Sequence, residues 1–248
     1  MSAWQALDDE IGRWRDGGRV VEFWWRDDDA AEADAPLDRL LKLADRSGAP
    51  LAIAAIPARL SGDAATMIKA CPAAHVLQHG YAHVNHAGAD RPKSEFPGTR
   101  LADERRGDMS AGRSRLAALL AERFLPVFVP PWNRMAEDGL ALLSGSGFVG
   151  LSRNKPRKSP ALADGVRQVN VHVDIVDWQD GRRFVGEDRA LNSVRAHLEA
   201  RRSGAVDPAE PTGILGHHRV QDEAAWTFLA RFLSRHRDLF RSAVEVFG

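Results

Sequence analysis

Short apolar runs alternate with longer amphipathic stretches along the whole chain. Residues 20–25 read as a first strand that stops in the acidic cluster Asp27, Asp28 and Asp29, and residues 51–56 read as a second strand, closed by Pro57. Further strands are predicted at 75–78, 126–129, 148–151, 166–173 and 213–215, with a short terminal strand at 244–247. Residues 166–173 alternate apolar and polar positions, the period of a pleated strand with one buried face. Between the strands, helical spacing marks 37–44, 64–70, 101–124, 135–143, 190–202 and 224–240, and Gly145–Ser146–Gly147 ends the fourth of these.

Strand–helix alternation predicts an α/β fold with a largely parallel sheet. About seven principal strands in a single domain, residues 1–248, point to a distorted (β/α) barrel, with an open doubly wound sheet as the competing topology. No internal repeat is visible. The stretch 85–98 is rich in Gly, Pro and charge, so it is expected to be mobile or to form part of a site rim.

Composition removes several function classes. Lys plus Arg and Asp plus Glu number 34 each, the net charge is zero, and no basic stripe favours nucleic acid. Cys71 is the only cysteine, which precludes an intramolecular disulfide and argues against a thiolate metal site. The first fifteen residues are amphipathic and acidic, without the continuous apolar core of a secretion signal. No apolar run approaches the ~18 residues of a membrane span. A cytoplasmic protein with no membrane partner is the expectation; the oligomeric state has no signature.

The chemistry-bearing residues fall just after predicted strands, the edge at which parallel α/β folds build their sites. The first group is Trp25-Arg26-Asp27-Asp28-Asp29. Adjacent carboxylates repel one another, and a bound cation would offset that repulsion; the plainer reading is a helix-capping cluster. His79 and His83 stand at i, i+4, a spacing that puts two imidazoles on one side of a helical turn, as a shared metal requires. Ordinary surface or core histidines are the alternative in a chain with nine of them. In Val129-Pro130-Pro131-Trp132-Asn133, two prolines fix an extended turn that could aim a backbone N–H at a developing oxyanion, and Trp132 offers a flat face for a sugar. Two more groups follow strands: Asp174 to Trp178, with Asp177 between them, and Leu215-Gly216-His217-His218. A histidine there could act as a general acid oriented by a carboxylate, or simply open a polar loop.

Taken in order, from about residue 20 to residue 220, the five groups resemble the motifs of the polysaccharide deacetylase superfamily. The resemblance implies Asp28 as catalytic base, Asp29, His79 and His83 as ligands of one divalent metal ion, with zinc expected, and His217 as catalytic acid. A register one residue earlier, Asp27 and Asp28, remains open. Pro131, Trp132, Asn133 and Trp178 take substrate-binding places, and the Trp132 N–H joins the oxyanion hole. Arg26, Asp174, Asp177 and His218 take supporting places. Two positions depart from the family pattern. Gly80 replaces the usual hydroxyl residue, and Val129 stands where the family has an arginine that tunes the base; Arg26, Arg134 and Arg153 could replace it. The implied activity is metal-dependent hydrolysis of an N-acetyl or related acyl group on a carbohydrate or sugar derivative. The alternatives are a non-sugar amide or cyclic imide as substrate, or a non-catalytic carbohydrate-binding relative.

Overall fold

A computed structural model of the chain describes residues 1–248. In chain order the elements begin with α1 (Ala3–Asp16), β1 (Phe23–Ala30), α2 (Ala35–Ser47), β2 (Leu51–Ala55), α3 (Gly62–Lys69), β3 (Ala74–His79), α4 (Ala102–Leu120) and β4 (Phe124–Val129). They continue with α5 (Glu137–Leu140), α6 (Leu142–Gly145), β5 (Gly150–Leu151), β6 (Arg167–Gln168), β7 (Val173–Asp174), β8 (Val176–Asp177) and β9 (Arg183–Phe184). The last are α7 (Glu187–Ser203), β10 (Thr212–Gly216), α8 (Glu223–His236) and α9 (Ala243–Phe247). Eight strands form one parallel sheet in the order β6-β5-β4-β3-β2-β1-β10-β7, and β8 and β9 form a separate antiparallel ribbon.

β6 and β7 are the outermost strands of that order, yet consecutive in the chain. The segment joining them explains the geometry. Val169 and Val171 donate their N–H groups to Leu151 and Arg153 on one side, at 3.1 and 2.9 Å. His172 and Ile175 donate to Gly213 and Leu215 on the other, at 2.8 and 3.1 Å. One extended segment is therefore bonded to both edges and draws the curled sheet into a distorted barrel, with few orphaned edge groups left. It coincides with the alternating run predicted as a single strand at 166–173.

Alternation along the strands separates two apolar layers. Trp24, Leu77, Val127, Val129, Val171 and Leu215 pack inside the barrel, where Ala52 and Ala54 leave room for the indole. Phe23, Trp25, Ile53, Val76 and Ile214 face outward, against helix residues such as Leu37, Leu40, Ile68 and Leu116. Fully burying one such side chain contributes roughly 1.5–3 kcal/mol, so this patterning dictates the sheet's register. The helices start where capping chemistry allows. Asp34 accepts the Leu37 N–H at 2.9 Å to open α2, and Asp222 accepts the Ala225 N–H at 2.9 Å to open α8. No helix is long and apolar enough to cross a membrane.

Several expected boundaries move. The first strand begins at Phe23 and runs through all three aspartates to Ala30, because pairing with β2 and β10 outweighs the poor strand preference of Asp. The terminal strand expected at 244–247 is instead the helix α9, nucleated by a reciprocal cap between Ser242 and Glu245. The helix expected at 135–143 is two single turns, α5 and α6, and that expected at 101–124 ends at Leu120.

Candidate active site

The three aspartates of β1 are sent in three directions. β1 pairs with β2 in register through Asp28↔Ala54 and resumes at Ala30↔Ala55, which makes Asp29 the extra residue of a bulge, at φ 75°. Alternation alone would turn Asp29 the same way as Asp27; the bulge re-aims it. Asp27 points outward, where its carboxylate accepts the His218 N–H and meets His218 Nδ1 at 2.5 Å. Opposite it, Gly216 makes room, because a Cβ there would lie 2.6 Å from Asp27 Oδ2. His218 is thus buried and bonded to Asp27.

His79 is the last residue of β3, but no helix follows it. The expected helical turn is replaced by a loop with positive φ at Gly80 (56°) and His83 (58°). The buried Glu95 carboxylate holds that loop by accepting the N–H groups of Tyr81 and Ala82 at 3.0 and 2.7 Å. A Cβ on Gly80 would fall 2.0 Å from Glu95 Oε2 and 2.5 Å from Pro131 Cγ, so glycine is required at this position. Glu95 has no signature in the sequence, because a lone acid in a long polar loop carries no pattern.

His79 Nδ1 faces the Val129 carbonyl at 3.1 Å. A carbonyl only accepts, so Nδ1 carries the hydrogen and the Nε2 lone pair points the other way. That Nε2 lies 3.2 Å from Asp29 Oδ1, and His83 Nε2 lies 3.3 Å from the same oxygen. Asp29 Oδ1 is buried without a hydrogen-bond donor. Burial alone would raise the pKa of Asp29, but contact with His79 and the charges of His79, His217 and His83 hold it well below the usual carboxylate range. Two imidazoles and a carboxylate oxygen converging on one point suit a transition metal such as zinc, and three protein ligands leave the open position a catalytic ion needs.

A second cluster, His172, His197 and Glu210, also brings its donor atoms close together, but its tautomer argues against a metal. His172 Nδ1 accepts the Gly213 N–H at 3.0 Å, so in the neutral ring Nε2 carries the hydrogen and faces Glu210 Oε2 at 3.2 Å. Glu210 also accepts the N–H groups of Arg157 and Asn170. His197 Nδ1 meets Thr212 Oγ1 at 2.9 Å, while His172 Nε2 and His197 Nε2 are buried without hydrogen-bond partners.

Beside the triad, the buried Arg26 grips Asp28 through Nε and Nη2, at 2.8 and 3.0 Å. The same guanidinium donates to Ser152 Oγ at 2.7 Å and Asn133 Oδ1 at 2.8 Å. Of the three arginines named for the place lost to Val129, Arg26 is the one that contacts Asp28. Ser152 is not among the residues the motifs single out, although it stands directly after β5, the strand-end position the other site residues share.

His217 projects from the end of β10 with Nδ1 3.9 Å from Asp174 Oδ1. Trp178 Nε1 donates to Asp174 Oδ2 at 2.8 Å, and its ring meets the His217 ring edge-on at 4.7 Å. Burial pushes the Asp174 carboxyl up, opposed by His217 and by the N–H groups of Val176 and Trp178. Asp177, the other carboxylate given a supporting place, stabilises a surface turn by accepting from Gln179 N–H and Arg189. Across the triad, the Trp132 ring stands 4.4 Å from the His83 ring. Trp132 and Asn133 both have φ 55°, held after Pro130 and Pro131 by Asn133 N–H bonding to Pro130 and Arg134 N–H to Pro131. One indole thus packs beside the candidate metal triad and another beside the histidine at the end of β10.

The chain is a distorted (β/α) barrel with a His-His-Asp cluster at the carboxyl ends of its strands. Solved structures with this fold include the peptidoglycan N-acetylglucosamine deacetylase Bc1960, with a TM-score of 0.62 at 15% identity over 91% of this chain and 87% of that one. A family 4 carbohydrate esterase from Streptomyces lividans, in complex with acetate, matches with a TM-score of 0.58 at 13% identity, over 90% of this chain and 91% of the other. BA3943 from Bacillus anthracis, a pseudoenzyme of the CE4 family, matches with a TM-score of 0.61 at 13% identity, over 92% and 65%. At these identities the likeness is one of fold. No family model and no curated protein sequence matches the chain.

Proposed function

We propose that the chain is a metal-dependent hydrolase that removes an N-acetyl or related acyl group from a carbohydrate or sugar derivative. The observation that carries this reading is the placing of a held carboxylate, Asp28, and a histidine, His217, whose Nδ1 lies 3.9 Å from Asp174, around the triad Asp29, His79 and His83. A non-catalytic binding module has no physical need for both a base and an acid at its metal site. The acetate complex of the S. lividans esterase and the substrate named for Bc1960 support an acylated sugar as the class of ligand.

A divalent ion held by Asp29, His79 and His83, with zinc expected, would supply Lewis acidity at the acyl group. The remaining work falls to the chain's own residues. Asp28 takes a proton from the attacking water, and Arg26 fixes the orientation of that carboxylate. The rigid Trp132 turn presents a backbone N–H to the negative charge that develops on the acyl oxygen. His217 delivers a proton to the leaving amine; Asp174, held by Trp178, lies 3.9 Å from its Nδ1 and supplies the nearby negative charge. The two indoles provide flat apolar faces of the kind sugars stack on, and Trp178, 45% exposed, has surface free for that contact.

Acetate release from N-acetylated amino-sugar oligomers and monomers by metal-loaded protein tests the reading, with simple acyl amides and a cyclic imide assayed alongside. Release from the sugars, lost in Asp28→Asn, is expected. Turnover of the amides or imide alone would replace the sugar substrate, and inactivity toward every compound would leave a binding protein.

A further inference from the structure

Next to Trp132 and Asn133 the surface opens into a cavity of about 630 Å³, within the size range of small-molecule sites. Asn133 links it to the reaction centre, since its Oδ1 accepts from the guanidinium that grips Asp28. The wall carries Arg134, Arg153, Lys155, Arg157 and Lys158 against a single carboxylate, Glu137. The chain as a whole has as many acidic as basic residues, so this excess is local.

Most of that charge is uncommitted. Arg157 is engaged by Asp207 at 2.8 Å and by the Gln168 carbonyl at 2.7 Å. Arg153 has only a loose neighbour, the largely exposed Glu137 at 3.9 Å. Arg134, Lys155 and Lys158 take part in no ion pair. The wall is also fixed in place. Asn170, buried on the segment that closes the barrel, accepts the Arg153 N–H at 2.9 Å and donates to the Lys155 carbonyl at 2.8 Å. Lys155 N–H donates to Val171 at 3.0 Å. Cations anchored around a concavity focus a positive field there, and guanidinium groups match phosphate oxygens in pairs.

We propose that this cavity receives a phosphate group carried by the acylated substrate, so that the substrate is a phosphorylated N-acyl sugar. The identity of the reacting acyl group rests on the deacetylase reading; the phosphate site does not. Its ligand is a sugar phosphate monoester or a nucleotide diphosphate sugar, which share the phosphoryl oxygens the cations contact.

Calorimetric titration of the metal-loaded protein tests this with four probes: inorganic pyrophosphate, N-acetylglucosamine, its 1-phosphate and its uridine diphosphate conjugate. The triple variant Arg134→Gln/Lys155→Gln/Lys158→Gln is titrated in parallel; all three side chains are exposed, and an unchanged melting temperature and metal content establish that it is intact. A phosphorylated sugar should bind at least about 10-fold more tightly than the neutral one, an advantage that shrinks as salt rises. The triple variant should lose that advantage, and its pyrophosphate affinity should fall by a similar factor. The tighter of the two phosphorylated sugars identifies the source of the phosphate. Equal affinity for neutral and phosphorylated sugars, or pyrophosphate binding as tight in the variant as in the wild type, overturns the proposal. A phosphorylated sugar that binds through the cavity without releasing acetate overturns the deacetylase reading and leaves the phosphate site standing.

Discussion

Arg26 and Asp28 stand two residues apart on β1, and the buried guanidinium holds the buried carboxylate by two hydrogen bonds of 2.8 and 3.0 Å. Residues i and i+2 of a strand share a face, so the strand itself supplies the partner of the proposed base. The motif that resembles the family's third one begins with Val129, whose side chain packs in the barrel interior and whose carbonyl sets the His79 tautomer. In this chain the arginine that meets Asp28 lies on the same strand, and Val129 ends β4.

This pair should be costly to break from one side. Arg26→Met leaves Asp28 buried without its cation, a change that typically costs about 3–5 kcal/mol. Urea melts should show that loss, and Arg26→Met combined with Asp28→Asn should recover a large part of it. A single variant as stable as the wild type would mean that the pair does not hold the barrel end together.

Metal analysis should find one divalent ion per chain, not two. His83→Ala should lose most of it, because two ligands remain on a site built for three. His172→Ala should keep it, since the His172 tautomer offers no free lone pair. Metal loss in the His172 variant with retention in the His83 variant would exchange the roles of the two clusters.

Asp28→Asn and His217→Ala should each lower kcat by about 10²–10⁴-fold with metal content near wild type, the usual contribution of a general base or acid. Asp177→Asn should leave kcat within a few-fold of wild type, because that carboxylate serves a surface turn and Arg189. A full-activity His217→Ala protein would remove His217 as the acid. His218 could not simply replace it while bonded to Asp27.

Acid should destabilise the fold through His236. Burial against Trp4, Phe23 and Phe232 lowers its pKa to about 4. Its ordinary value is 6.5. Between these two pH values the unfolded chain binds more protons than the folded one, so stability is full above about 6.5 and falls as pH drops toward 4. The shift corresponds to roughly 3 kcal/mol across that window. His236→Phe should flatten this part of a stability-against-pH curve measured by chemical denaturation; an unchanged slope would assign the acid sensitivity to other groups.

Much of this protein was legible in one dimension. The periods of apolar residues located nearly every strand, and the alternating run at 166–173 turned out to be the segment that closes the barrel. The residues of the candidate metal triad were visible as types and spacings, because a ligand must be a His or a carboxylate whatever holds it. Their geometry was not. Whether Asp27, Asp28 or Asp29 faces the histidines depends on a one-residue bulge opposite Ala54 and Ala55, and a bulge arises from register between strands, not from local preference. The i, i+4 histidines meet through a left-handed loop held by Glu95, and they do so because Pro131 and Glu95, distant in sequence, leave space only for glycine at position 80. Arg26 became the partner of Asp28, and Asp177 a surface turn, through contacts with Ser152, Asn133 and Arg189 that span up to 126 residues of chain. Sequence therefore determined which chemistry was possible and where along the chain it lay, through residue type and periodicity. The tertiary structure decided which atoms converge, because direction in space is set by strand register, backbone handedness and the packing of distant groups.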